Sequence, residues 1–80
     1  MNIEEMVIRV IKDNVGLADG VVTIESTRES LGMDSLDDVT CIMSLEEEFD
    51  ICILDYEAEK MTSIRKIVDF IRPLVNQKHH

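Results

Sequence analysis

The chain has no tryptophan, one proline, three glycines and two cysteines in 80 residues, and only 4% of it is aromatic. Basic residues are also scarce, with eight lysines and arginines against 17 aspartates and glutamates. Each shortage excludes something. Two cysteines, Cys41 and Cys52, are too few for a disulfide framework and do not form a metal-ligand spacing, so free thiols in a reduced, cytoplasmic setting are expected. A net charge of −9 repels phosphate backbones and anionic membrane surfaces, which makes nucleic acid a poor partner. No apolar run approaches the roughly 20 residues that span a bilayer. The first residues, Met1 to Glu5, are acidic where a signal peptide is basic, so a soluble chain without membrane insertion is expected. His79 and His80 read as the remnant of a purification tag and carry no functional argument.

What is present is apolar content of 45% and a charged fraction of 31%, enough for a core and too apolar for a disordered tail. A domain of this size buries about 60 to 65% of the surface its unfolded chain exposes, so a deep, walled active site is not expected. One domain over residues 1–78 with a docking or carrier role fits better.

Apolar residues recur at Ile3, Met6, Val7, Val10 and Ile11, a helical stripe with Asn2 placed as N-cap and Glu5 three residues on. Gly16 should stop that helix after about a dozen residues. Residues 16–33 have no clean period and read as a long loop anchored by Leu17, Val21, Val22, Ile24 and Leu31. A second helix is expected from Asp34 or Ser35 to about Asp50, with Val39, Ile42, Leu45 and Phe49 inward, Asp37, Thr40, Ser44, Glu47 and Glu48 outward, and Leu36 and Met43 at the border. A short third helix is expected over residues 55–61 with Asp55 as its cap. A fourth, capped by Thr62 or Ser63, carries Ile64, Ile67, Val68, Ile71, Leu74 and Val75, with Pro73 expected to kink or fray it. These elements predict an all-α fold, a small four-helix bundle of three main amphipathic helices plus a short third one, with a long loop between helices 1 and 2.

The acidity is polarised. Residues 29–59 hold 11 acids and no base, leaving +2 for the rest of the chain. Such a segment is either a solvated face that keeps a small protein soluble or a docking surface for basic patches. At its head lies Ser35, within Gly32-Met33-Asp34-Ser35-Leu36. A serine there caps a helix, and the same place suits a covalently attached phosphodiester, because free amides and the positive helix end face it. Cys41 and Cys52 read as packing residues, with no positive neighbour to favour a thiolate. The five methionines suggest an adaptable helical core. With no base beside Ser35, no metal cluster and no phosphate-cradling loop, an enzyme is not expected.

Three segments together closely resemble the acyl carrier proteins: Leu31-Gly32-Met33-Asp34-Ser35-Leu36-Asp37, then Ser44-Leu45-Glu46-Glu47-Glu48-Phe49-Asp50, then Glu57-Ala58-Glu59-Lys60-Met61-Thr62. The resemblance covers nearly the whole chain. It implies that a phosphopantetheinyl transferase adds 4'-phosphopantetheine from coenzyme A to Ser35, and that acyl groups ride as thioesters on the arm's sulfur to enzymes of fatty acid biosynthesis. It further implies a monomer whose second helix docks on basic patches of ketosynthases, reductases and acyltransferases through Asp34, Asp37, Asp38, Glu46, Glu47 and Glu48. Leu36, Val39 and Met43 would add apolar contacts beside the arm, and the interior would open to shelter an acyl chain. The chain departs from the commonest bacterial pattern at Thr40, where a glutamate is usual, at Thr27, where an aromatic is common, and at Leu54, where a proline usually precedes the third helix. These departures bear on partner identity and not on the carrier role, and leave open a specialised carrier for a secondary lipid or polyketide pathway. A separate rival, an acidic helical adaptor that is never modified, has no need of the Asp34-Ser35-Leu36 constellation.

Overall fold

In the computed structural model, which describes residues 2–78, the chain is a small all-α bundle of four helices among those residues. They are α1 (Ile3–Val15), α2 (Ser35–Phe49), α3 (Asp55–Lys60) and α4 (Ile64–Lys78). His79 and His80 lie outside the described residues. Among the described residues no helix is long and apolar enough to cross a membrane.

The ends of α1 follow from local chemistry. Asn2 Oδ1 accepts the Glu5 N–H at 3.2 Å, which satisfies one of the free donors of the first turn. Gly16 ends the helix in the left-handed region at φ 77°, and the N–H groups of Gly16 and Leu17 both reach the Lys12 carbonyl, at 2.9 and 3.0 Å. Val7, Val10 and Ile11 are buried, with Ile3 and Met6 packed at their edge.

The long connection is anchored by buried Val22 and half-buried Leu17, Ile24 and Leu31. Val21, expected among the anchors, is 48% exposed: it sits beside Val22 at a turn, and only one of two adjacent side chains reaches the core. No sequence period announces how the loop is fastened. Thr27 and Ser63 form an isolated antiparallel bridge, the Arg28 N–H donates to the Thr62 carbonyl at 3.1 Å, and the Ile64 N–H donates to the Ser26 carbonyl at 3.0 Å. The loop is thereby stapled to the start of α4.

The inner stripe of α2 is Cys41, Leu45 and Phe49, with Ile42 at its margin. Val39, expected inward, is 56% exposed, because it lies about 200° around the helix from Cys41. Ser44, expected outward, is half-buried, and its hydroxyl bonds Asn14 Oδ1 of α1 at 3.1 Å. Leu36 and Met43, expected at the border, are exposed.

Asp55 is the first residue of α3, not its cap. Leu54 holds the cap position without a side-chain acceptor, and only the return half of a capping box forms, from the Leu54 N–H to Glu57 Oε1 at 3.2 Å. In α4, Ser63 Oγ accepts the Lys66 N–H at 3.3 Å, so Ser63 is the cap. The helix runs through Pro73 to Lys78. Pro73 is exposed, as is Asp69, so the carbonyl that loses its partner lies on the water side and the helix continues. The inner face of α4 is Ile64, Ile67, Val68, Ile71 and Val75, with Leu74 half-buried.

The methionines do not fill the core as their number suggested. Met61 is buried, Met6 and Met33 are partly buried, and Met43 is exposed. Met1 lies outside the described residues.

Candidate functional site

The head of α2 is held by a complete capping box. Asp34 Oδ1 accepts the Asp37 N–H at 2.9 Å, and Asp37 Oδ2 accepts the Asp34 N–H at 3.4 Å. Asp34 is therefore the cap and Ser35 the first helical residue. Ser35 is exposed, and among the described residues its hydroxyl makes no side-chain hydrogen bond. The N–H groups of Ser35 and Leu36 have no acceptor within the helix, as in any first turn. A free oxygen thus sits at the positive end of a helix dipole, relieved of the structural task a serine usually performs there.

Ser35 lies on the wall of a cleft of about 470 Å³ bounded by α2, the long loop, α3 and the start of α4. Its rim includes exposed Ser35, Val39, Met43, Asp55 and Glu59, and its floor includes buried Ile11, Cys41, Leu45, Ile53, Met61 and Ile64. Met33, Met43 and Met61 all line it, so three unbranched, flexible side chains share the cleft.

Burial raises the pKa of the Cys41 thiol from 9.0 to about 11, and the Asp37 carboxylate adds to the shift. The thiol is neutral at physiological pH, consistent with a packing role. Cys52, given the same packing role from sequence, is exposed instead, and both cysteines are free.

The acids of α2 divide into occupied and available groups. Asp34 and Asp37 build the cap, Asp38 pairs with Arg28, Glu46 Oε2 accepts the Ile53 N–H at 2.9 Å, and Glu48 pairs with Arg9 at 3.3 Å. Glu47 is exposed and, among the described residues, has no ion-pair or hydrogen-bond partner. Between these acids runs an apolar stripe: Leu36, Val39 and Met43 are 74%, 56% and 57% exposed and recur at helical spacing. Thr40 is exposed on the same helix.

Two cleft residues escaped the sequence reading, Arg28 and the buried Ile53 of the floor. Among the described residues Arg28 is the only base on the cleft wall, and the signal for it was faint: it is the last base before the run of acids. The aperiodic loop concealed where its side chain would lie. Among the described residues no cluster of three or more His, Cys, Asp or Glu could hold a metal ion.

Fold and site together define a small helical bundle that presents an unengaged serine at a helix head, an acidic helix with an exposed apolar stripe, and an apolar cleft beside the serine. No model of a known protein family matches the chain.

Proposed function

We propose that the chain is an acyl carrier protein that carries acyl intermediates on 4'-phosphopantetheine attached to Ser35 and delivers them to enzymes of fatty acid biosynthesis. One observation carries the reading: an exposed, unbonded serine hydroxyl at the first residue of α2, freed from capping by Asp34 and set on the rim of an apolar cleft. When bound, the prosthetic group supplies a thiol that forms thioesters. The chain's own residues supply attachment, shelter and recognition. In this reading Ser35 Oγ is the attachment atom of the arm rather than a catalytic nucleophile. The cleft floor offers an alkyl chain an apolar surface, worth about 25 cal/mol for each Å² removed from water. Leu36, Val39 and Met43 offer partner enzymes an apolar contact flanked by Glu47, and the surrounding acids orient basic patches during encounter.

A second reading, a carrier serving a specialised pathway, is favoured by Thr40. It is exposed on the docking helix and leaves that face one charge poorer than the family pattern the sequence resembles.

The test is the intact mass after incubation with coenzyme A and a broad-specificity phosphopantetheinyl transferase. A single phosphopantetheinyl addition is expected, and Ser35→Ala should abolish it. Labelling that persists in that variant, or maps to Ser30 or Ser44, would overturn the assignment. Those two hydroxyls are already engaged, Ser30 with the Thr27 carbonyl at 3.0 Å and Ser44 with Asn14 at 3.1 Å. An unmodified wild-type protein that still binds basic partners would favour the adaptor reading.

A further inference from the structure

Arg28 lies on the wall of the cleft and is fixed at both ends. Its N–H is held by the Thr62 carbonyl at 3.1 Å, beside the Thr27–Ser63 bridge, and its Nη2 is paired with Asp38 of α2. Asp38 lies three residues after Ser35, so the two share one face of the helix, with about 5 to 6 Å between Cβ atoms. The guanidinium is therefore held against the same helix face as the serine, and Arg28, Asp38 and Ser35 all line the cleft. It carries five N–H donors in a rigid fork, and among the described residues Asp38 is its only side-chain partner. Donors are left over on the wall of the cleft that a group tethered to Ser35 would enter.

The rest of the wall limits what those donors can meet. The floor beneath is apolar, with Leu45, Ile53, Met61 and Ile64. The other charged wall residues, Asp38, Glu46, Asp55 and Glu59, are all acids. A ligand carboxylate would meet repulsion at the rim or desolvation on the floor. A neutral acceptor oxygen close to the thioester end, with a hydrocarbon tail beyond it, matches donor, rim and floor together.

We propose that Arg28 makes this cleft selective for acyl groups with a neutral oxygen near the thioester, such as 3-hydroxyacyl or 3-oxoacyl chains, over fully saturated chains of the same length. The proposal rests on the carrier reading for its biological setting. Its physical content concerns the cleft alone, so it is tested without the prosthetic group.

The probes are the N-acetylcysteamine thioesters of octanoic, 3-hydroxyoctanoic and 3-oxooctanoic acids, titrated into the unmodified full-length protein and followed by NMR. Wild type is expected to bind the two oxygenated probes about fivefold more tightly than the octanoyl probe, the order for one added hydrogen bond to a half-exposed charged donor. The Arg28 Nε–Hε signal should shift with the oxygenated probes only. In Arg28→Leu, with helicity checked by circular dichroism, the preference should fall to about onefold while octanoyl binding is retained. Equal affinity for the three probes in wild type, an unmoved Arg28 signal, or a preference that survives in folded Arg28→Leu would each overturn the proposal. So would failure of all three probes to bind. The wild-type measurements decide the matter even if the variant does not fold. Failure of Ser35 to accept a prosthetic group would overturn the carrier reading and leave these measurements standing.

Discussion

At the residue scale, the head of α2 separates two tasks that one serine could have combined. Asp34 performs the capping and Ser35 is left chemically free, so the two positions should respond oppositely to truncation. Asp34→Ala is expected to lower stability in urea denaturation by about 1 kcal/mol, and Asp34→Asn to recover most of it, since Asn retains the acceptor oxygen. Ser35→Ala should change stability by less than about 0.5 kcal/mol while removing the modification site. The cysteines divide similarly. Alkylation of native protein near pH 8 should label exposed Cys52 quickly and leave buried Cys41 unmodified until unfolding, as peptide mass mapping would show. The folded-state pKa of Cys41 is raised, so unfolding is favoured once the unfolded thiol ionises. Stability is fully present below about pH 9 and declines as pH rises towards about 11, and Cys41→Ala should remove that part of the decline. Thr40→Glu would restore a rim charge. With a bacterial fatty-acid synthase set it should raise acyl loading and elongation rates if the charge governs encounter, and leave them unchanged if partner choice lies elsewhere.

At the element scale, α2 is strongly specified at its start and only weakly supported at its end, where Glu46, Glu47 and Glu48 face the negative pole of the helix with no base in the last turn. Charge reversal is therefore informative only away from the cap. Asp37→Lys would break the capping box as well as the acidic face, whereas Thr40→Lys with Glu47→Lys alters exposed positions alone. That double variant should weaken binding to transferase and synthase, with a melting temperature close to wild type. Wild-type binding should also weaken as salt shortens the screening length to about 8 Å. Unchanged affinity in both experiments would assign the acidic face to solubility alone. The six residues of α3 bury none of their own side chains and lack a capping acceptor at Leu54. Its amides should exchange with solvent faster than those of α1 or α4, and Leu54→Ser should slow them by supplying the missing acceptor.

At the scale of the whole molecule, the negative charge is concentrated in the middle of the chain, with 11 acids and no base in residues 29–59. Among the ion pairs that relieve it from outside that segment are Arg28 with Asp38 and Arg9 with Glu48, the latter well exposed. Like charges at helical spacing repel, and a small core leaves little reserve. Added salt or magnesium should raise the melting temperature near neutral pH, and a melting temperature indifferent to ionic strength would mean that solvent already screens the segment. The same distribution leaves the Arg28 side of the cleft as the one positive point on an acidic wall.

The sequence by itself determined the elements whose causes are local. Asn2 and Gly16 bound α1 because a capping oxygen and a left-handed glycine act within a turn, and the stripes of α1 and α4 were legible because a 3.6-residue period needs no partner to be read. The position of Ser35 at the head of an acidic helix was legible for the same reason. What only the tertiary structure decided depends on contacts between distant parts of the chain. Which arc of α2 turns inward was fixed by packing on α1, so Ser44 became a half-buried contact to Asn14 and Val39 was left exposed. The loop's attachment to Thr62 and Ile64 was decided by backbone pairing that leaves no period in the side chains. The cleft beside Ser35, with Arg28 paired to Asp38 on its wall, exists only once that loop, α2 and the start of α4 are brought together, because a cavity belongs to the arrangement of its walls and to no single segment.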